Sequence, residues 1–174
     1  KEEWTPMDVP LDLAALGAKP HPYKLTEPAS LARVKPPEPK LGAAPLRLDR
    51  ALVASGKVSG VQVSTILQAV ARFREELSDG RTKGGFLLGD GTGTGKGRVI
   101  VGCILHSWNE GNRRCAWVSA SPDLVEDARR DLRDLGAEEE IPVQALRQSA
   151  PKEQDEVLFV TYAMLGRSPH QVEQ

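Results

Sequence analysis

The sequence predicts an α/β fold in which a parallel sheet is flanked by helices. From residue 58 onwards, segments with helical periodicity alternate with short apolar runs, which is the pattern of βαβ units. One of these runs, Phe86–Leu88, leads into a glycine-rich loop at 89–97 that contains Lys96 and precedes an apolar helix. Strand, glycine loop and helix in this order are typical of a site that binds phosphate groups.

Composition limits the classes of function. The chain has 174 residues and a net charge of −1, so any contact with nucleic acid must be local. No apolar run approaches the roughly 20 residues of a membrane span, and the first residues do not resemble a signal peptide. We therefore expect an intracellular protein with no membrane partner. Cys103 and Cys115 lie in apolar segments and are expected to be buried thiols.

Residues 1–57 are predicted to form an extended, proline-rich arm. Nine of the 13 prolines fall within the first 50 residues, which restricts helices to short turns at 11–18 and 46–56. The arm is either a disordered linker or a strap that lies over a neighbouring surface. As a strap, it would be anchored by its apolar side chains: Trp4, Met7, Tyr23, Leu25, Leu31 and Val34.

A helix is predicted over 60–77, with Ser59 as its cap. Its apolar residues recur every three or four positions and form one stripe. The stripe consists of Val63, Ile66, Leu67, Val70, Phe73 and Leu77. The polar segment 78–85 is predicted to be an exposed loop that leads into the strand at Phe86–Leu88.

The glycine loop departs at two positions from the strict pattern G-x-x-x-x-G-K-[ST] for binding phosphates. Asp90 replaces the first glycine, and Gly97 replaces the hydroxyl residue after Lys96. Because that hydroxyl ordinarily binds Mg²⁺, either the metal takes an oxygen from Thr92, Thr94 or water instead, or its affinity is weak. The alternative is a glycine-rich turn with a solvated lysine. The predicted nucleotide-binding residues are Asp90, Gly91, Thr92, Gly93, Thr94, Gly95, Lys96 and Gly97.

Three further strands and one helix are predicted after residue 113. The strands cover 114–120, 141–146 and 157–162, and the last of them is apolar throughout most of its length. The helix begins at Ser121 and ends at Gly136, with a solvated face of paired charges. Its predicted buried face consists of Leu124, Ala128, Leu132 and Leu135.

The run GDGTGTGKGR, residues 89–98, resembles the Walker A region of the strawberry notch family, which are helicase-like ATPases of superfamily 2. That family also carries GKGR, so Gly97 agrees with it. The resemblance extends, in the family's order, over several further segments. These are PASLARVKPPEP (28–39), VSGVQVSTILQAV (58–70), RRCAWVSASPDLVEDARRDLRDLGA (113–137), IPVQAL (141–146) and VLFVTYAML (157–165).

The resemblance implies that residues 58–174 are part of a RecA-like domain that binds ATP with Mg²⁺ and acts on nucleic acid, DNA rather than RNA, or on chromatin. A eukaryotic regulator of this kind would be nuclear; otherwise the protein would be cytoplasmic or organellar. Gln62 takes the place of the Q-motif glutamine, whose amide pairs with adenine; the alternative is a surface glutamine on a helix.

The resemblance also implies candidate nucleic-acid contacts. Ser119 and Ser121 take the place of motif Ia, where hydroxyls and helix N–H groups suit a phosphate backbone; the alternative is an ordinary helix cap. Thr161 and Tyr162 take the place of a further nucleic-acid or coupling motif; the alternative is a strand end with a core tyrosine.

A complete ATPase of this family needs an acidic pair after the Thr161-Tyr162 strand. No apolar run that ends in Asp-Glu follows Tyr162, Asp155 and Glu156 precede their strand, and Asp90 lies within the loop. We therefore expect an incomplete domain, without the Walker B strand and later strands, in which no catalytic set is complete. The rest of the ATPase or other subunits would complete the sheet.

The alternative function is a non-catalytic structural subunit of a large assembly. It would derive from such a domain and use the N-terminal arm as an interaction strap.

Overall fold

The computed structural model describes residues 3–9, 13–34, 45–146 and 155–166. The chain divides into two compact units, Lys1–His106 and Ser107–Gln174, and we describe each by itself. Within the described residues, no helix is long and apolar enough to cross a membrane.

The described N-terminal residues of the first unit form a hairpin, and the expected extended arm is not confirmed. Strand β1 (Trp4–Pro6) pairs antiparallel with β2 (Thr26–Pro28), and a short helix, α1 (Ala29–Ala32), follows directly. A proline weakens a strand where its missing N–H would bond to a neighbour. Pro6 and Pro28 stand at the ends of their strands, where this loss matters least.

The N-terminal segment is also joined to the helical part of the first unit. Lys19 forms a parallel bridge with Ser59, and its carbonyl accepts a hydrogen bond from the N–H of Gly60 at 2.7 Å. Four of the six anchors proposed for a strap, however, are mostly exposed: Trp4, Tyr23, Leu31 and Val34. Residues 35–44, which include part of the predicted extended segment, lie outside the described residues.

Helices α2 (Arg50–Ser55) and α3 (Gly60–Arg74) agree with the sequence pattern. Helix α2 ends at Gly56, which adopts the left-handed conformation (φ 82°) expected of a glycine stop. The apolar stripe of α3 is buried from Val63 to Val70. Phe73 and Leu77 were expected in the same stripe, but both are exposed, because the helix ends at Arg74 and the chain turns away in extended conformation at Glu75.

The prediction of a strand at Phe86–Leu88 is wrong. The residues adopt no regular structure, and the Leu87 side chain is 92% exposed. A strand exists only where a second backbone pairs with it. No strand or bridge involves 86–88 among the residues that the structure describes. The glycine loop nevertheless leads directly into helix α4 (Lys96–Asn109), as predicted.

The second unit contains the parallel sheet. Its strands are β3 (Arg114–Ser119), β4 (Val143–Ala145) and β5 (Glu156–Thr161), arranged in the order β3-β5-β4. Helix α5 (Val125–Leu135) lies between β3 and β4 in the chain, and α6 (Tyr162–Leu165) follows β5. The α/β class and the parallel sheet flanked by helices are therefore confirmed.

Helix α5 buries Ala128, Leu132 and Leu135 as predicted, and it ends at Gly136 in the left-handed conformation (φ 76°). Leu124 is exposed, contrary to the prediction, because residues 122–124 form a 3₁₀ turn before the α-helix begins. The charged face carries ion pairs one turn apart, between Arg129 and Glu126 and between Arg130 and Asp127.

Candidate functional site

The backbone of the glycine loop is curled by two left-handed residues, Gly93 (φ 86°) and Gly95 (φ 78°). Only glycine adopts this conformation without strain. The carbonyl of Gly95 accepts hydrogen bonds from the N–H groups of Arg98 and Val99, at 3.0 and 3.4 Å, and so starts helix α4. A curled loop that opens a helix presents backbone N–H groups and the positive end of the helix dipole to an anion.

The Lys96 ammonium group lies against its own loop. Its Nζ donates hydrogen bonds to the carbonyl oxygens of Asp90, at 2.9 Å, and Gly91, at 2.7 Å. The lysine charge is therefore held at the loop backbone.

Asp90 introduces a negative charge next to this lysine. Burial raises the pKa of the Asp90 carboxyl above its usual value, and the positive charge of Lys96 acts in the opposite direction. Burial therefore makes the Asp90 carboxylate less stable here than in water.

The two candidate metal ligands in the loop differ in their environment. The hydroxyl of Thr94 donates to the carbonyl of Gly91 at 3.2 Å, and the side chain is buried. The side chain of Thr92 is exposed. The Thr94 oxygen keeps lone pairs for a metal while the hydroxyl donates, but its side chain is buried, so the exposed Thr92 or water is the more accessible oxygen ligand.

Gln62 is buried and lies directly against the loop. Its Oε1 accepts a hydrogen bond from the N–H of Ser59 at 2.9 Å, and its Nε2 donates to the carbonyls of Thr94 and Gly95 at 3.0 and 3.4 Å. The structure therefore places Gln62 against the loop and gives both amide atoms partners within the protein, and the pairing with adenine that the resemblance implies stays a prediction.

Arg98 is a residue of this region that the sequence analysis did not assign. Its guanidinium group donates to the carbonyl of Lys57 at 3.1 Å, and this bond ties the first turn of α4 to the segment before α3. The arginine is part of the run GKGR, so its place directly after the loop was the available signal.

A cavity of about 510 Å³ opens beside the start of the loop. Its walls come from the N-terminal hairpin, from one face of α3 and from the segment that leads into the loop. Gly89 and Asp90 belong to its lining, whereas 91–97 do not. The other lining residues are Met7, Asp8, Val9, Glu27, Leu31, Ala32, Val34, Val61, Ser64, Thr65, Gln68, Phe86, Leu87 and Leu88.

The four candidate nucleic-acid residues lie in the second unit, at the carboxyl edge of the sheet. Ser119 ends β3 and is the register partner of Thr161, which ends the neighbouring strand β5. Ser121 and Tyr162 follow within two residues of these strand ends. Thr161 is buried, and its hydroxyl caps α6 by accepting a hydrogen bond from the N–H of Met164. Tyr162 is 67% exposed and is therefore not a core residue.

Glu156 stands at the opposite end of the same sheet. It is the first residue of β5 and the register partner of Arg114, which opens β3. Asp155 precedes the strand as expected, whereas Glu156 was also expected to precede it and is instead its first residue. Ligands of parallel sheets collect at the carboxyl edge, so these two residues do not take the place of a catalytic acidic pair.

Comparison with known proteins gives one family and a consistent set of relatives. Residues 20–174 match a family model described as "P-loop containing NTP hydrolase pore-1". The chain is 39% identical over 153 residues to Protein FORGETTER 1 of Arabidopsis thaliana and 38% identical over 155 residues to Protein strawberry notch homolog 2 of Homo sapiens. It is 41% identical over 122 residues to Protein strawberry notch of Drosophila melanogaster.

These alignments cover 84%, 86% and 70% of this chain, respectively, but only 12%, 11% and 7% of the relatives. The chain therefore corresponds to a small part of each of these relatives. No solved structure matches it.

Proposed function

The chain belongs to the strawberry notch family of P-loop NTP hydrolases, and from this premise we propose that it is the ATP-binding portion of a helicase-like ATPase that acts on nucleic acid. The observation that carries the proposal is the phosphate loop. Gly93 and Gly95 curl its backbone, and Lys96 holds its ammonium group against the loop at the start of α4.

The chemistry of binding follows from these groups. The backbone N–H groups of the loop and of the first turn of α4 would hold the phosphate oxygens of ATP. Lys96 would exchange its two carbonyl partners for the outer phosphates, a stronger interaction because both partners are then charged. Magnesium would neutralise the remaining phosphate charge. Thr92 or water would be its oxygen ligand, in place of the hydroxyl that Gly97 lacks.

We also propose that this chain binds ATP without hydrolysing it at a useful rate. Hydrolysis requires a group that positions the attacking water and a carboxylate that holds magnesium. Asp155 and Glu156 lie at the amino edge of their sheet, and burial disfavours the charged form of Asp90. A phosphate-release assay with the chain alone should show no activity above the buffer, and turnover that Lys96→Ala abolishes would contradict this.

A titration with fluorescent ATP tests nucleotide binding. Replacing Lys96 by alanine removes a charge-assisted contact, so the affinity should fall about tenfold to a hundredfold. Lys24→Ala, in the N-terminal segment, is the matched control and should leave the affinity unchanged. Equal affinities of the unmodified chain and the Lys96→Ala variant would overturn the proposed nucleotide site.

Nucleic-acid contact is proposed at the carboxyl edge of the sheet, where Ser119 and Thr161 adjoin. Tyr162 is the most accessible member of this group and offers a ring on which a base can stack. Tyr162→Ala should weaken binding of single-stranded DNA about threefold to tenfold in fluorescence polarisation, within the range of one lost stacking contact.

Tyr23→Ala is the control for this experiment, because Tyr23 is also exposed but lies in the other unit. The same titration with RNA tests the preference for DNA. Equal losses for Tyr162→Ala and Tyr23→Ala would mean that the sheet edge has no specific role.

A second candidate function is a structural subunit whose N-terminal residues contact a partner. It is favoured by the exposed apolar side chains of the hairpin region, among them Trp4 and Tyr23. Two results together would support this candidate. The chain would bind no ATP, and the variant with both residues changed to serine would separate from the native assembly in size-exclusion chromatography. Retention of the double variant in the assembly would count against it.

A further inference from the structure

Gln62 joins two parts of the first unit that are more than 30 residues apart in the sequence. We propose that Gln62 is a positioning residue that sets the shape of the phosphate loop and does not recognise the nucleobase. This inference rests on the proposed nucleotide site, because the loop that Gln62 holds is the one that would bind the phosphates.

The first argument is the use of the amide group. A glutamine that reads adenine needs its carbonyl oxygen and its NH₂ group at the base edge. In this protein, Oε1 accepts the N–H of Ser59 at the start of α3, and Nε2 donates to the carbonyls of Thr94 and Gly95. The side chain is only 4% exposed. Base recognition would therefore break a helix cap and the contact with the loop at the same time.

The second argument is the fit between Gln62 and Gly95. A Cβ atom at Gly95 would collide with Nε2 of Gln62. Gly93 has a similar left-handed backbone, but nothing lies within 4 Å of the place where its Cβ would be. Gly95 is therefore required both by its backbone conformation and by the closeness of the glutamine. The hydrogen bonds and the close packing together define one position for this part of the loop.

A third contact joins the same two segments. Arg98, in the first turn of α4, donates to the carbonyl of Lys57, five residues before Gln62. Two side chains, Gln62 and Arg98, therefore link the start of α3 and the residue segment before it to the end of the phosphate loop and the first turn of α4. A loop that is held in its bound shape loses less conformational freedom on binding, so its affinity for phosphate groups rises regardless of the base.

Gln62→Glu separates the two roles of the side chain. Glutamate is the usual partner in a capping box, so its carboxylate still accepts the N–H of Ser59. Its second oxygen replaces Nε2 and faces the carbonyls of Thr94 and Gly95, where no donor remains. Gln68→Glu is the matched control: Gln68 lies on the same helix, and its Nε2 contacts Ser64 and not the loop.

The binding experiment compares ATP, GTP and inorganic tripolyphosphate by isothermal titration calorimetry. If Gln62 positions the loop, Gln62→Glu weakens all three by the same factor, about fivefold to a hundredfold, as expected for a buried acceptor left without a donor. Gln68→Glu stays close to the unmodified protein. A loss for ATP alone, with unchanged binding of tripolyphosphate, would overturn the proposal in favour of adenine recognition.

Hydrogen exchange of the nucleotide-free protein provides a second readout that does not depend on binding. Gln62→Glu should speed the exchange of amides in 91–97 and leave those of α5, in the other unit, unchanged. Equal protection of the loop in both proteins would overturn the inference. If the unmodified chain binds none of the three ligands, the proposed nucleotide site fails, and the exchange data still decide whether Gln62 holds the loop.

Gly95→Ala tests the same contact from the loop, should Gln62→Glu prevent folding. The added methyl group displaces Gln62, so tripolyphosphate binding should fall more than in Gly93→Ala, because Gly93 has a similar left-handed backbone but nothing lies within 4 Å of its Cβ. Equal affinity of the two alanine variants would contradict the inference.

Discussion

At the scale of single residues, the phosphate loop shows which departures from the common pattern have physical consequences. Gly97 lacks the usual hydroxyl, and the structure offers the exposed Thr92 as a substitute oxygen, since the side chain of Thr94 is buried. Asp90 has the opposite effect, because it adds a carboxylate where burial disfavours the charged form.

Asp90→Asn should strengthen ATP binding about twofold to fivefold, because a partly solvated negative charge near the triphosphate is removed. Fluorescent ATP titration measures the change, with Asp123→Asn in the other unit as the control. Weaker binding by Asp90→Asn would contradict this prediction and would indicate that the carboxylate contacts the metal or the nucleotide directly.

The same variant changes the pH dependence of stability. The folded-state pKa of Asp90 is raised above 3.8, so the folded protein holds this proton more tightly than the unfolded chain. The stability that this proton confers is present below pH 3.8 and is lost as the pH rises through the folded pKa. The melting temperature of the unmodified protein should therefore fall relative to that of Asp90→Asn as the pH rises through this range, because the other carboxylates contribute equally to both proteins.

At the scale of elements, the turn between α3 and the phosphate loop is held by several side-chain and backbone contacts. The backbone of Leu77 bonds to Thr82 at 2.8 Å, and Glu76 forms an ion pair with Lys83. The Asp79 carboxylate accepts the N–H groups of Arg81 and Thr82 and the hydroxyl of Thr82. The sequence predicted an exposed loop at 78–85, and the added order comes from these side chains.

The Asp79 carboxylate should titrate with a pKa of about 2, because the hydroxyl and backbone N–H of Thr82 and the N–H of Arg81 favour its charged form. The stability that it gives the turn is present above pH 3.8 and is lost as the pH falls through the folded pKa. NMR chemical shifts of Asp79 measure the midpoint, and the amides of Arg81 and Thr82 should lose protection over the same range. A midpoint near 3.8 would show that these hydrogen bonds do not form in solution.

The helix boundaries also belong to this scale, and they show why the predictions of buried stripes failed at their ends. Phe73 and Leu124 fit a 3.6-residue periodicity, yet both are exposed. Helix α3 ends one residue after Phe73, and α5 begins one residue after Leu124. Periodicity alone identifies which face of a helix is buried. The first and last buried residues of that face depend on where the chain enters and leaves the helical conformation.

At the scale of the whole molecule, the order of the strands is the main feature that the sequence left open. Strand β5 is the last of the three in the chain, yet it lies between β3 and β4. Its inner position agrees with its composition, since Val157, Phe159 and Val160 are all buried. The register that follows places Ser119 beside Thr161, and this pairing defines the proposed nucleic-acid edge.

The sequence by itself determined the α/β class, the glycine stops at Gly56 and Gly136, the glycine loop before α4 and a buried strand, predicted at 157–162 and observed at Glu156–Thr161. Each of these depends on signals only a few residues apart, such as periodicity, caps and glycine at a left-handed position. The family resemblance pointed to Gln62 as a residue of this site.

Three features could be known only from the tertiary structure: the N-terminal hairpin, the absence of strand pairing at 86–88 within the described residues, and the hydrogen-bond partners of Gln62. These features depend on groups that are distant in the sequence: Trp4 with Pro28, and Gln62 with Gly95. Local propensity carries no information about such pairings, because a backbone N–H or an amide group is satisfied equally well by any partner that the fold brings within reach.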